Sequence, residues 1–238
     1  MDTTITTHSR PNRRAVMHQR WDDLLFLHWR VAPESISPHL PPGLSLDTFE
    51  GAAHVGLVAF RMNRVRPSFL PTLPWLSNFL ELNVRLYVLN EQGEPGIYFL
   101  SLDCNRAPAV LIARTFFSIP YQHARMSFSE QNGEQSLECR RLGRSDFAHY
   151  IWRAPNSVAP AVPGTLEHHL VERYNFFTLR HRTLACGQVY HEPYKIGVPD
   201  LLQSSNAPLA WDGLSFITTP PDLMHYSPGV SVEAFALR

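Results

Sequence analysis

Lysine is almost missing from this chain. Lys195 is the only one among 238 residues, so nearly all of the positive charge is arginine. Arginine stays charged and grips carboxylates in a planar fork, whereas lysine supplies the amine for imine chemistry. Charge of one sign is missing too: 21 basic and 21 acidic residues leave a formal net charge of +0. No bulk field draws the chain to nucleic acid or to an acidic membrane, and neither is expected as a partner. Cysteine is sparse, with Cys104, Cys139 and Cys186 and no C-x-x-C pair. That argues against a disulfide framework or a zinc knuckle and fits free thiols in a reducing cytoplasm. No apolar run approaches the roughly 20 residues that span a bilayer. The polar first 14 residues carry no apolar core of a secretory signal and read as a disordered tail ahead of one domain over 15–238. The phosphate-cradling patterns G-x-x-x-x-G-K-[ST] and G-x-G-x-x-G are absent, as is the nucleophile elbow G-x-S-x-G. No cofactor is expected, and no repeat or low-complexity tract is visible.

The chain is 44% hydrophobic and 18% charged, a globular balance, and is long enough to bury a sizeable core. Its most informative stretch is Asn78–Leu89, N-F-L-E-L-N-V-R-L-Y-V-L. In a strand, Leu80, Leu82, Val84, Leu86 and Val88 share one face, and Glu81, Asn83, Arg85 and Tyr87 share the other. An acid, an amide, a guanidinium and a phenol in a row either face water or line a cavity. The residues alone leave both open. Further strands are expected over 24–30, 44–49, 53–64, 97–102, 125–129, 135–142, 175–180 and 184–191, with a last hairpin from 224–226 and 230–235. Asn132-Gly133 marks a tight hairpin. Short helices are expected from Pro33, over 107–117 and over 165–172, and proline-rich loops over 66–77 and 156–164. The sum is α+β: many antiparallel strands in one extended sheet, with a few short helices.

Two chemistries are weakly signalled. His168 and Glu172 are spaced to share a helix face with His169 nearby, and His191-Glu192 is a second pair, but no third ligand has a recognised spacing, so no metal site is expected. Cys104 as a nucleophile lacks an identifiable histidine partner.

Four blocks together carry a resemblance. They are L-F-L-H-W-R-V-A-P-E-S-I-S-P-H-L-P-P-G-L-S-L-D from Leu25, V-G-L-V-A-F-R-M from Val55, E-L-N-V-R-L-Y-V from Glu81 and A-R-T-F-F-S-I-P-Y from Ala113. A looser E-R-Y stands at Glu172–Tyr174. The chain resembles an uncharacterised bacterial YqjF-like family, itself similar in fold to acetoacetate decarboxylase. The resemblance implies a bent antiparallel sheet closing into a barrel or cone around a pocket, and makes self-association into a homo-oligomer an expectation. It places Arg30 at the decarboxylase's strand-end arginine, Glu81 at its pocket glutamate, and Arg114 and Pro120 in its R-E…P-K-K motif. Thr115 replaces that glutamate, and Tyr121 and Gln122 stand where the lysine pair belongs. Imine formation needs an amine with a lowered pKa, and neither replacement provides one.

On this reading a pocket holds a small-molecule carboxylate. Arg30, Asn83, Arg85, Arg114 and Gln122 bind it, while Glu81 and Tyr121 exchange protons with it. Two functions follow: a lyase, hydratase or isomerase acting on a small oxo-acid without a lysine imine, or a non-catalytic carboxylate-binding protein. Whether the chain is an enzyme at all stays open here. A third possibility is a structural ion-pair network with Tyr121 filling the core.

Overall fold

In the computed structural model, residues 9–69, 71–72, 77–107 and 118–238 are described. The elements in chain order are β1 (Met17–Val31), α1 (Pro33–Ile36), β2 (Leu44–Leu46), β3 (Ala53–Pro67), β4 (Phe79–Asn90), β5 (Pro95–Cys104), β6 (Tyr121–Gln131), β7 (Glu134–Arg141), β8 (Ala148–Arg153), β9 (Ala159–Pro160), α2 (Leu166–Val171), β10 (Asn175–Arg180), β11 (Thr183–Tyr190), β12 (Lys195–Ile196), β13 (Asp200–Gln203), α3 (Ala207–Trp211) and β14 (Leu223–Ala234).

Strand pairings run β4–β5–β10–β11–β14–β1–β3 and return to β4, a closed ring of seven strands. The ring closes because β5 has three neighbours. One edge pairs with β4. On the other, Ile97 and Tyr98 pair with β10, while Leu102 to Cys104 pair with β6. From β6 the sheet leaves the ring and continues through β7, β8 and β13. The joins of β5 to β10 and to β6 are parallel, so the sheet is mixed rather than wholly antiparallel as expected.

Alternation then makes two cores from the same strands. Leu25, Leu27, Val55, Leu57, Leu82 and Val84 face outward and pack against Leu137, Tyr150 and Trp152 of the β6–β8 extension and Leu209 of α3. Leu24, Phe26, Val58, Phe60 and Met62 face into the ring with Leu102 and Val171. β3 is therefore buried on both faces, in line with its continuous apolar run.

The Asn-Gly hairpin is present: Asn132 and Gly133 both have positive φ, 53° and 78°, which matches the right-handed twist of the flanking strands. The final hairpin is not. Met224–Phe235 reads as two strands around Pro228-Gly229, yet β14 is one strand paired with β1 along its length. A register irregularity in β1, with Asp23 at φ 52°, accommodates the Pro-Gly pair without a turn. β8, β13 and α3 carry no strong sequence signal and were not anticipated. Arg66 and Pro67 belong to β3 rather than to a loop. Apart from Ala107, the helix expected over 107–117 lies outside the described residues. Of the described part of the N-terminal segment, Arg10 pairs with Glu233 and Arg13 donates to the Ala236 carbonyl.

Candidate active site

The ring encloses a cavity of about 230 Å³, walled largely by apolar side chains. Its polar groups come mainly from the strand singled out above. Cross-strand register stacks the inward residues in layers. Arg85 lies level with Gly56 and His28, Asn83 with Val58 and Phe26, and Glu81 with Phe60. Phe79, Met62 and Trp21 form the next layer beyond Glu81. The row Glu81, Asn83, Arg85 thus runs along the cavity wall rather than into solvent.

Glu81 is 3% exposed. Tyr121 donates its hydroxyl to Glu81 Oε2 at 2.5 Å, and Asn83 Nδ2 donates to Oε1 at 3.3 Å. Burial raises the Glu81 carboxyl to about 7, against the pull of those two hydrogen bonds, which lower it. Tyr121 is itself pushed well above the usual phenol range, by burial first and the Glu81 charge second. The result is a carboxyl near half-protonation at neutral pH, hydrogen-bonded to a neutral phenol.

Arg85 stands at the other end of the row. Its Nε donates to Tyr87 Oη at 3.3 Å, and its guanidinium lies 5.6 Å from the ring centres of both Phe26 and Tyr87. Among the described residues Arg85 has no ion pair, and its buried Nη2 has no hydrogen-bond partner. The same holds for Asn83 Oδ1, also on the cavity wall. Behind Arg85, Tyr87 Oη lies 2.8 Å from His28 Nε2. Burial, and then the Arg85 charge, hold His28 well below the usual imidazole range, so it is neutral. Gly56 makes this arrangement possible: a Cβ there would lie 2.7 Å from Tyr87 Oη and 3.2 Å from Arg85 Cγ.

Of the other expected site residues, Arg30 does not reach the cavity. It shares the inward phase of Phe26 and His28 but lies at the end of β1, past the last layer, where it is exposed and its backbone N–H is held by Asp222. Gln122 does not line the cavity either. It pairs with Asp103, whose side chain is held by Arg141 away from the cavity, because neighbouring residues of a strand face opposite ways. Arg114 lies outside the described residues. Lys195 is exposed and off the cavity wall, while its neighbour Tyr194 lines it, again by alternation. The only amine side chain in the chain therefore does not line the cavity.

The sequence reading missed Arg173 and Tyr194 on the wall. Arg173 follows α2 and is neutralised by Asp47, with Nη1 to Oδ2 at 2.5 Å. Its one signal was the Glu172–Tyr174 block. Glu172 accepts from the Tyr174 hydroxyl and, at 2.8 Å, from the Tyr194 backbone N–H. Burial raises the Cys104 thiol to about 12. Among the described residues no group of three or more acidic, histidine or cysteine side chains is arranged to hold a metal ion, and no helix is long and apolar enough to cross a membrane.

Solved structures with this architecture include acetoacetate decarboxylase from Legionella pneumophila, 15% identical with a TM-score of 0.65 over 100% of this chain and 96% of that one. An acetoacetate decarboxylase-like enzyme from Sphingomonas wittichii RW1 is 13% identical, TM-score 0.64, over 94% and 93%. The enduracididine biosynthesis enzyme MppR, complexed with pyruvate, is 16% identical, TM-score 0.63, over 95% and 91%. At such identities the likeness establishes the fold alone. YqjF of Bacillus subtilis (strain 168), itself an uncharacterized protein, is 34% identical over 225 residues, which is 94% of this chain and 92% of YqjF. Residues 18–231 match DUF2071, an "Uncharacterized conserved protein" family. The chain belongs to the DUF2071 family and has the acetoacetate decarboxylase-like fold.

Proposed function

We propose that the ring cavity binds an oxo-acid, with Arg85 on its carboxylate, and that Glu81 and Tyr121 move a proton on it in a lyase-, hydratase- or isomerase-type step. The observation that carries this reading is the Glu81 carboxyl, raised to about 7 in the cavity wall and bonded to Tyr121. A general base works best with a pKa near the operating pH. As the carboxylate, Glu81 takes a proton from carbon next to the carbonyl; the C–H pair forms the enolate double bond and the carbonyl π pair moves onto oxygen. That pair then re-forms the carbonyl, and either the far carbon of a conjugated double bond takes the proton back from Glu81 or a β-leaving group departs with its bonding pair and takes the proton. Imine chemistry plays no part, since Lys195 is exposed.

The test is solvent exchange. Oxo-acids of graded length are incubated with the protein in D2O, and deuterium at the carbon beside the carbonyl is followed by NMR. Exchange that Glu81→Gln abolishes, while the ligand still raises the melting temperature of that variant, is the expected outcome.

A second reading is a non-catalytic carboxylate-binding protein. It is favoured by the absence of lysine from the cavity wall and by the raised phenol of Tyr121, which leaves no amine and no readily ionised phenol at that position among the described residues. Ligand-induced stabilisation without exchange on any acid selects it. Absence of both effects overturns both readings.

A further inference from the structure

The distance between the two polar ends of the cavity says how long the ligand is. We infer that the occupant is a monocarboxylic acid with a medium-length alkyl chain or an aryl tail, not a three- or four-carbon acid. This rests on the reading of Arg85 as the carboxylate anchor.

Glu81 and Arg85 are four residues apart on one strand, about 14 Å between Cα atoms. Asn83 stands between them and bonds Glu81, while Arg85 bonds Tyr87, so no direct contact joins the two ends. A four-carbon acid is less than about 5 Å long, at about 1.5 Å per carbon–carbon bond. Held at Arg85, it fills only part of the 230 Å³ cavity. A longer acid passes Val58 and Phe26 beside Asn83, brings a carbon several bonds from its carboxylate to Glu81, and ends among Met62, Phe79 and Trp21.

Charge and volume agree. Arg173 is already neutralised by Asp47, so Arg85 is the cavity-wall cation without an ion pair among the described residues, and one carboxylate balances it. A dry cavity of about 150 Å³ holds benzene. The 230 Å³ here therefore suits a ligand of about nine or ten non-hydrogen atoms. The walls that such a tail would touch are apolar, which dicarboxylates and sugar acids would not match.

Calorimetric titration of the full chain with acetate, butanoate, hexanoate, octanoate, dodecanoate and 3-phenylpropanoate, with octanamide as the uncharged control, tests this. Affinity is expected to rise about fourfold per methylene up to octanoate and to stop rising by dodecanoate. Octanoate and 3-phenylpropanoate should lose at least tenfold in Arg85→Met, and octanamide should bind weakly. Val58→Phe, which narrows the tail path, should turn the preference toward short acids. Equal affinity for acetate and octanoate overturns the tail and leaves the carboxylate anchor standing. Octanamide binding as well as octanoate, with no effect of Arg85→Met, overturns the anchor and the inference with it. No binding by any acid overturns both.

Discussion

Tyr121 reaches across β5 to hydrogen-bond Glu81, with Oη 2.5 Å from Oε2 and 40 positions between the two residues. Leu102 of β5 pairs with Tyr121 on one side and Asn83 on the other, which puts these three side chains on the same face as Glu81. The parallel join of β6 to β5 therefore brings the phenol to the acid, and the properties of that pair set most of the expected behaviour.

Glu81→Gln should make stability less dependent on pH. The native carboxyl titrates at about 7 against 4.5 for the free group. Between those values the native state holds more protons than the unfolded chain, so Glu81 lowers stability as pH rises through the window. The full loss, about 3 kcal/mol, is reached above pH 7. Urea unfolding should find Glu81→Gln more stable than the parent at pH 8 and no more stable at pH 4.5. An unchanged difference at the two pH values would show that Glu81 titrates normally.

Tyr121→Phe should move the Glu81 titration upward. The phenol hydrogen bond lowers that carboxyl against the effect of burial, so its removal takes the midpoint above 7. Isotope-edited NMR of the glutamate carboxyl carbons reads it directly, and any exchange activity should follow with the same upward displacement of its pH profile. A downward displacement contradicts the assignment.

Arg85→Met should separate binding from stability. Removing a charged hydrogen-bond partner from the ligand costs about 2–3 kcal/mol, or roughly 30- to 150-fold in affinity. The fold should lose little, because Arg85 has no ion pair to break among the described residues and methionine fills a similar volume. His28, held down by burial and then by Arg85, should titrate higher in this variant. Histidine NMR chemical shifts against pH check the direction.

Gly56→Ala should damage the site from behind. The added methyl would stand 2.7 Å from the Tyr87 hydroxyl, which His28 and Arg85 fix in place. Overpacking of this kind costs about 1–3 kcal/mol. Ligand affinity, measured by titration, should fall as Arg85 is displaced.

Arg141→Met offers the contrast. Arg141 is buried between Asp103 and Asp212, bonds Ser101, and lies off the cavity wall. Removing one partner from a buried ion pair costs about 3–5 kcal/mol. Chemical denaturation should show that loss, while the folded fraction keeps its ligand affinity.

Much of this site was legible because β4 speaks in period two. Glu81, Asn83, Arg85 and Tyr87 share a phase, and the structure puts that phase inside the ring with Leu82, Val84 and Leu86 in the outer core. Alternation also explains the errors. Gln122 beside Tyr121 and Lys195 beside Tyr194 have the wrong phase, and Arg30 has the right phase in the wrong layer. Arg173 was signalled only by the loose Glu172–Tyr174 block, since it enters from the end of α2 rather than from a strand pattern.

The amino-acid order by itself determined most of the strands, their two faces and the identity of the polar row, because those depend on neighbours a few residues apart. It also determined that only one amine side chain exists. Which face became a cavity was decided by pairings far apart in the chain: β14 along β1, and the two strands sharing one edge of β5. Those contacts close the ring, take water away from Glu81 and raise its pKa, and leave Arg85 buried without a counter-charge among the described residues. Burial, and the chemistry that follows from it, belongs to the tertiary structure because no segment of sequence can exclude water from itself.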